Sequence, residues 1–307
     1  MAAIRRHLVV TTCTNRKRAA APTNLLGRVL PAGKPRDVAR AWSTRLGRAE
    51  RQGTAKELYL GRAFREAERA AETVNAEFFV LSAGLGLVPA DMNVPSYNLT
   101  LAQASPDSIL AKTGSDASVW WQELKLASVF HKDLPPTSGL ILFALSEPYL
   151  EMIGNELSGW SKDRRTRLRL FIKQNPSDRF PKLADQWMPY DDRIDALGGD
   201  HAGTQGDFAQ RAMRHFAEHF CELPESAAGH AARVKKCLAK LVPRERPARV
   251  RVSDQEAISL IERDWDIVQG RSGRMLRRFR DDLNLGCEQS RFKRLFLTVQ
   301  MRRAVGE

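Results

Sequence analysis

Three short apolar runs set the tightest limit on how this chain can fold. His7–Thr12, Glu77–Ser82 and Leu140–Leu145 are each six residues of mostly aliphatic, β-branched or aromatic character. Each stops at small or polar residues: Cys13-Thr14-Asn15-Arg16-Lys17-Arg18, Ala83-Gly84-Leu85-Gly86, and Ser146-Glu147-Pro148-Tyr149. Apolar runs this short, continuous instead of alternating, are the pattern of strands covered on both faces. Leu168–Lys173 reads as a fourth. Helical periodicity fills the gaps at Asp37–Arg51, at Leu58–Val74 behind the capping-box spacing Thr54-Ala-Lys-Glu57, and at Ser118–Phe130. The alternation predicts an α/β fold with a mostly parallel sheet flanked by helices. Ligands of such sheets bind outside the carboxyl ends of the strands, where the three polar loops are expected to converge.

Beyond the fourth strand the pattern loosens. A glycine-rich segment, Gly198–Gly206, precedes helical stretches at Phe208–Cys221 and Ala227–Leu241. Val242–Pro247, with two prolines and mixed charges, reads as a linker. A second capping box, Ser253-Asp-Gln-Glu256, opens a helix to about Asp266; Arg274–Leu283 and Cys287–Arg303 follow as two more. The expected domains are therefore an α/β domain over residues 1–241 and a basic helical domain over 249–307. The longest apolar runs fall far short of the ~20 residues of a membrane helix. The first residues lack the apolar stretch of a secretory signal. Four scattered cysteines without a CxxC form no disulfide framework. A cytoplasmic protein with reduced thiols and no membrane partner is expected.

Charge is segregated along the chain. Residues 1–56 hold 13 basic and 2 acidic residues, 57–230 hold 17 and 24, and 231–307 hold 19 and 10. Two basic ends flank an acidic middle, a distribution that favours a polyanion through phosphate contacts and counterion release. Arg16, Arg18, Arg271, Arg274, Arg277, Arg278, Arg291 and Lys293 are the candidate DNA contacts, since arginine suits bidentate phosphate binding.

Chemistry is expected in the strand-end loops. After the first strand, Cys13, Thr14, Asn15 and Lys17 offer a thiol, a hydroxyl, an amide and a cation for a phosphate or a base edge. After the second, Ser82, Gly84, Asn93 and Tyr97 are candidate substrate contacts, with Gly84 giving close backbone approach and Tyr97 a stacking ring. Asp91 in the same loop and Glu147 after the third strand are the candidate catalytic carboxylates, beside Ser146. The amides of Gly198–Gly206 are a further place for a phosphate. No segment matches GxxxxGK[ST] or GxGxxG, so no nucleotide cofactor is expected. His215 and His219 sit at i, i+4 but without HExxH or CxxC, so no metal is expected either.

The pattern Cys13-Thr-Asn-Arg-Lys17, Leu58-Tyr59-Leu-Gly61-Arg-Ala-Phe64, Phe79-Val-Leu-Ser82-Ala-Gly-Leu-Gly86-Leu87-Val88 and Tyr97-Asn-Leu-Thr100-Leu101 resembles a bacterial family of largely unknown function. That family is related to the uracil-DNA-glycosylase-like domains of the archaeosine transglycosylase type and to peroxide-stress DNA-binding proteins. The resemblance covers roughly residues 5–175. It implies a uracil-DNA-glycosylase-like fold and action on a nucleobase, and some relatives lie in phage-defence loci. Uracil-DNA glycosylases carry Gln-Asp-Pro-Tyr-His after their first strand and a late His-Pro-Ser; neither stands here, and Thr14 or Asn15 occupies the place of the aspartate. Asp91 is the substitute by chemistry alone. Cys287-Glu288-Gln-Ser-Arg291-Phe292 resembles the helical extension of some relatives.

The expected function is a metal-independent DNA glycosylase. It would flip a modified base, with glucosylated hydroxymethylcytosine of phage DNA favoured, and cleave the N-glycosidic bond. The alternatives are a nucleobase transglycosylase and a non-catalytic DNA-binding protein. The expected partner is double-stranded DNA.

Overall fold

The computed structural model describes residues 6–243 and 249–305. The chain divides into two compact units, Met1–Arg244 and Glu245–Glu307. Most of the expected linker, residues 244–247, lies outside the described residues.

The first unit runs β1 (Leu8–Thr12), α1 (Pro35–Gly47), α2 (Ala55–Leu58), α3 (Arg62–Thr73), β2 (Glu77–Ser82), β3 (Gly86–Pro89), α4 (Ile109–Thr113) and α5 (Ala117–Ala127). It continues with β4 (Ile141–Ala144), α6 (Glu147–Gly159), α7 (Lys162–Thr166), β5 (Leu168–Phe171), α8 (Phe208–His219) and α9 (Ala227–Leu238). Five strands form one sheet in the order β3-β2-β1-β4-β5. β1 pairs in parallel with β2 and with β4, and β4 with β5; only β3 is antiparallel. The fold is α/β with a mostly parallel sheet between two helical layers, as the strand pattern requires.

The continuous apolar runs exist because both faces of the sheet are covered. Leu8 and Val10 of β1, with Ile141 and Phe143 of β4, enter the core that holds Trp42 of α1, Trp120 and Trp121 of α5 and Leu150 of α6. Val9 and Leu142 enter the other core, with Ala67 and Ala70 of α3 and Ala212 and Phe216 of α8. Strand period two sends neighbours to opposite layers, and both layers are apolar. Small residues on α3 let it lie close against α8.

Two elements depart from the sequence reading. The expected helix Leu58–Val74 is interrupted, because residues 58–60 pair with the loop after β1: Leu60 N–H donates to Arg16 O and Arg18 N–H to Leu58 O, both at 2.9 Å. Gly86–Pro89 is a strand, β3, where the end of a strand and a polar loop were expected.

The second unit holds β6 (Val250–Arg251), α10 (Asp254–Arg263), α11 (Ser272–Asp281), β7 (Leu285–Gly286) and α12 (Gln289–Val305). The three helices enclose a small core of Ile261, Met275, Phe279, Phe292 and Val299. Both expected capping boxes, Thr54–Glu57 and Ser253–Glu256, are formed.

Candidate active site

The strand order reverses direction at β1: β2 and β3 lie to one side, β4 and β5 to the other. The loops leaving β1 and β4 must part there, and the gap between them is where open α/β sheets bind ligands. A cavity of about 520 Å³ opens at this point. Cys13, Thr14 and Asn15 form one wall, Ser146, Glu147 and Tyr149 the other.

Ser146 is the N-cap residue of α6, and Glu147 stands in that helix's first turn. A carboxylate there would normally be held low by the helix dipole. Glu147 is instead raised above its ordinary value, first by loss of hydration and then by Glu151 one turn on; Arg179 opposes both. Glu151 is itself paired with Arg179. Thr14 is held by its own hydroxyl, which lies 2.8 Å from Leu60 O and 2.9 Å from Arg16 O. Asn15 is exposed on the cavity wall.

Beneath the cavity lies a buried hydroxyl cluster. Cys13 Sγ sits 3.0 Å from the Tyr149 hydroxyl. Ser82 Oγ accepts the amides of Gly84 (3.1 Å) and Leu85 (3.0 Å). Its own proton is therefore left for the Tyr97 oxygen at 2.5 Å, which is 2.9 Å from the Tyr59 hydroxyl. The Lys17 ammonium lies 4.6 Å from the Tyr97 ring centre and donates to Thr14 O at 3.2 Å. Burial lowers the Lys17 amine and raises the phenols of Tyr59, Tyr97 and Tyr149. The four pieces of the sequence pattern thus meet as a floor that braces the β1 loop.

This floor corrects several expectations. Tyr97 is 1% exposed, so its ring is core and cannot stack on a base. Ser82 is fully buried and spent on the amides and Tyr97. Gly84 gives no ligand access: a Cβ there would lie 2.5 Å from the Tyr97 ring, so the glycine is required by that ring. Lys17 faces the tyrosines and does not line the cavity. Asp91 and Asn93 fail for a topological reason. β3 runs back along β2, with Pro89 opposite Phe79 and Ala90 N–H on Phe78 O, so the chain emerges at the amino end of β2. Both residues are exposed there, and Asp91 stands beside Lys56 and Glu77.

The glycine-rich segment forms the far lip of the cavity, through Gln205 and Gly206. Two of its amides are already taken, Thr204 N–H donating to Asp207 and Gly203 N–H to Asp195. Arg211 of α8, fully buried, ties the segment down through Asp207 (2.7 Å), Asp195 (2.8 Å) and the carbonyls of His201 and Thr204. Gly203 makes room for it, because a Cβ there would meet Arg211 Nε at 2.5 Å. Lys173, just past β5, and Gln210, in the first turn of α8, also line the cavity. Sequence reading passed over both. The strand-end rule could have found Lys173; nothing in the sequence marks Gln210.

The basic candidates divide. Arg16 and Arg18 are exposed on the β1 loop. In the second unit, Arg278 is spent on Asp264 (2.8 Å), whose carboxyl Arg263 and Arg278 hold down at about 2. Arg291 is spent on Asp254 and Val252 O. These two hold the unit together and are not free DNA contacts. Arg274 donates to Gln269. Arg271, Arg277 and Lys293 are exposed and make no ion pair among the described residues. His215 is buried against Tyr190, 2.8 Å away, with its imidazole pushed down to about 3. Among the described residues, His7, Cys221 and Glu222 group like metal ligands. His7 Nδ1 already accepts Leu140 N–H, and the Cys221 thiol is pushed up to about 12 by burial, so the trio fits a metal poorly.

Residues 43–127, from within α1 to the end of α5, match the model of a family of unknown function, DUF6884. The match takes in Tyr59, Ser82 and Tyr97 of the floor but neither Cys13 nor Glu147. No curated protein and no solved structure matches the chain.

Proposed function

We propose that the protein is a DNA glycosylase with a uracil-DNA-glycosylase-like domain, working in the cavity at the carboxyl ends of β1 and β4. A base flipped out of the duplex enters the cavity, and its C1′–N bond breaks with the electron pair leaving on the base. Glu147, as the carboxylate, stabilises the sugar cation and takes a proton from the water that attacks C1′. Asn15 and Ser146 offer hydrogen bonds to the base edge, and the β1 loop is held in place from below. The product is an abasic site.

The observation that carries this reading is the placement of one carboxylate, raised above its ordinary value, on the wall of a 520 Å³ cavity at the sheet's switch point. Sites of about 300–1,000 Å³ hold drug-sized ligands. A bulky pyrimidine such as glucosylated hydroxymethylcytosine is therefore the favoured base. The basic ends of the chain suit a DNA partner.

DNA binding without chemistry is the second reading. One observation favours it: with Asp91 at the other end of the sheet, Glu147 is the lone carboxylate among the cavity's lining residues.

The test incubates the full chain with plain DNA and with DNA carrying the glucosylated cytosine, and scores alkali-labile sites. Sites in the modified DNA alone, lost in Glu147→Gln, support the glycosylase. Sites that appear only when a free 7-deazapurine is added indicate base exchange. No sites in either DNA, with salt-sensitive binding to both, leave the DNA-binding protein.

A further inference from the structure

α1 has two unlike faces. Val38, Trp42 and Leu46 are buried in the core. On the outer side, Arg36, Arg40, Thr44 and Arg48 recur every fourth residue and are all exposed. Such spacing stacks side chains along one line of a helix. From first to last the line spans about 18 Å at 1.5 Å rise per residue.

The three arginines make no ion pair among the described residues. Their neighbours differ: Arg45 reaches the carbonyls of Asn24 and Val29, and Arg51 covers the Phe130 ring. Like charges at i, i+4 destabilise a helix, so Arg36 and Arg40 repel each other, an effect that Asp37, three residues before Arg40, offsets in part. The acidic groups nearby are Asp37 and Glu50 on the α1 segment and Glu123 across a groove between α1 and α5. Leu126 (85% exposed) and Val129 (57%) form the groove's opposite lip. α1 is also tied to the cavity's end of the sheet, since the Trp42 indole donates to Gly84 O, just beyond the carboxyl end of β2, at 2.7 Å.

We propose that this face of α1 holds the sugar–phosphate backbone of duplex DNA, the arginines on successive phosphates and the aliphatic lip against the sugars. The proposal rests on the reading of DNA as the partner and adds a contact surface to it. A membrane surface fits less well, because interfacial helices immerse a broad apolar face and that face of α1 is already inside the protein. Single-strand binders stack bases on aromatic rings, and the large exposed apolar residues among those described are aliphatic or Met.

The test measures binding of the full chain to a short unmodified duplex by fluorescence anisotropy, between about 50 and 200 mM salt. The variant is R36Q/R40Q/R48Q. The control is K235Q/K236Q/K240Q, which removes the same charge from exposed positions on α9 and the turn that follows it. Losing three phosphate contacts should cut the slope of log K against log salt by about 2.7 and weaken binding at least tenfold near 100 mM, while the control stays within threefold. If the triple variant loses helicity by circular dichroism, R40Q alone should cut the slope by about 0.9. An unchanged slope, an equal loss in the control, or wild-type binding to phosphatidylserine vesicles in preference to duplex would overturn the proposal. The assay involves no turnover, so it reads duplex binding apart from the chemistry of the cavity. Wild-type protein that binds duplex but forms no abasic sites would strike the cavity reading; an unchanged slope in R36Q/R40Q/R48Q, with abasic sites still formed by the wild type, would strike this one.

Discussion

The chain leaves β2 and β4 at the same end of the sheet, on either side of β1, yet only one of the two departures brings a carboxylate to the cavity. After β4 it turns at once into α6, so Ser146 and Glu147 stay at the strand's carboxyl end. After β2 it makes a hairpin into β3, and Asp91 comes out a full strand length away. The two carboxylates look equivalent in sequence, each a few residues beyond an apolar run. A crossover helix keeps its first residues near the ligand end of the strand before it, whereas an antiparallel return carries the chain off.

The largest effect expected from this contrast is on turnover. Glu147→Gln should lower abasic-site formation by about 10²–10⁴, the usual weight of a general acid or base, with Asp91→Asn within twofold of wild type. Equal losses would break the comparison. Next is the floor under the β2 loop. Gly84→Ala drives a methyl into a Tyr97 ring fixed by its hydroxyl bonds and should cost about 1–3 kcal/mol in urea unfolding. Tyr97→Phe removes the acceptor for the Ser82 proton and should cost about 1–3 kcal/mol, with modified-base preference unchanged. If Tyr97→Phe altered base preference at unchanged stability, the ring would belong to the site after all.

A smaller effect separates Asn15 from Asn93. Asn15→Ala should raise KM several-fold, and Asn93→Ala should leave it unmoved, as measured by steady-state kinetics on the modified duplex. The smallest effect is in pH. Glu151 helps raise the Glu147 carboxyl and Arg179 lowers it. Glu151→Gln should therefore move the Glu147-dependent limb of the rate profile to lower pH, so the carboxylate persists into more acid solution. Arg179→Gln should move it up. A limb that stays in place in both variants would assign it to another group.

Much of the scaffold was legible. β1, β2, β4 and β5 announce themselves because a strand buried on both faces is mostly apolar, buried Arg169 of β5 being an exception, and both capping boxes form because their bonds are local. The β1 and β4 loops were found by the rule that ligands gather at carboxyl ends. β3 was hidden: Gly86-Leu87-Val88-Pro89 continues an apolar run after a single small turn, and four residues carry too little pattern to declare a reversal. Its omission alone misplaced Asp91 and Asn93. Ser82, Gly84, Lys17 and Tyr97 were misread for another reason. Polar and glycine residues suggest exposure or ligand access, but partners 13 to 80 residues away absorbed them, and no local spacing reveals such partners. Arg278 and Arg291 were counted as DNA contacts because charge in a sequence does not say which carboxylate will lie opposite.

Sequence by itself determined the α/β class, the order of the principal elements and the segregation of charge, since each follows from periodicity or composition over neighbouring residues. Tertiary structure alone decided which polar side chains meet. It placed Glu147 on the cavity wall, closed Tyr97 and Ser82 into the floor and left Arg36, Arg40 and Arg48 without an ion pair among the described residues. The physical reason is that burial and electrostatic pairing depend on distances in space, and those are set by strand direction and packing.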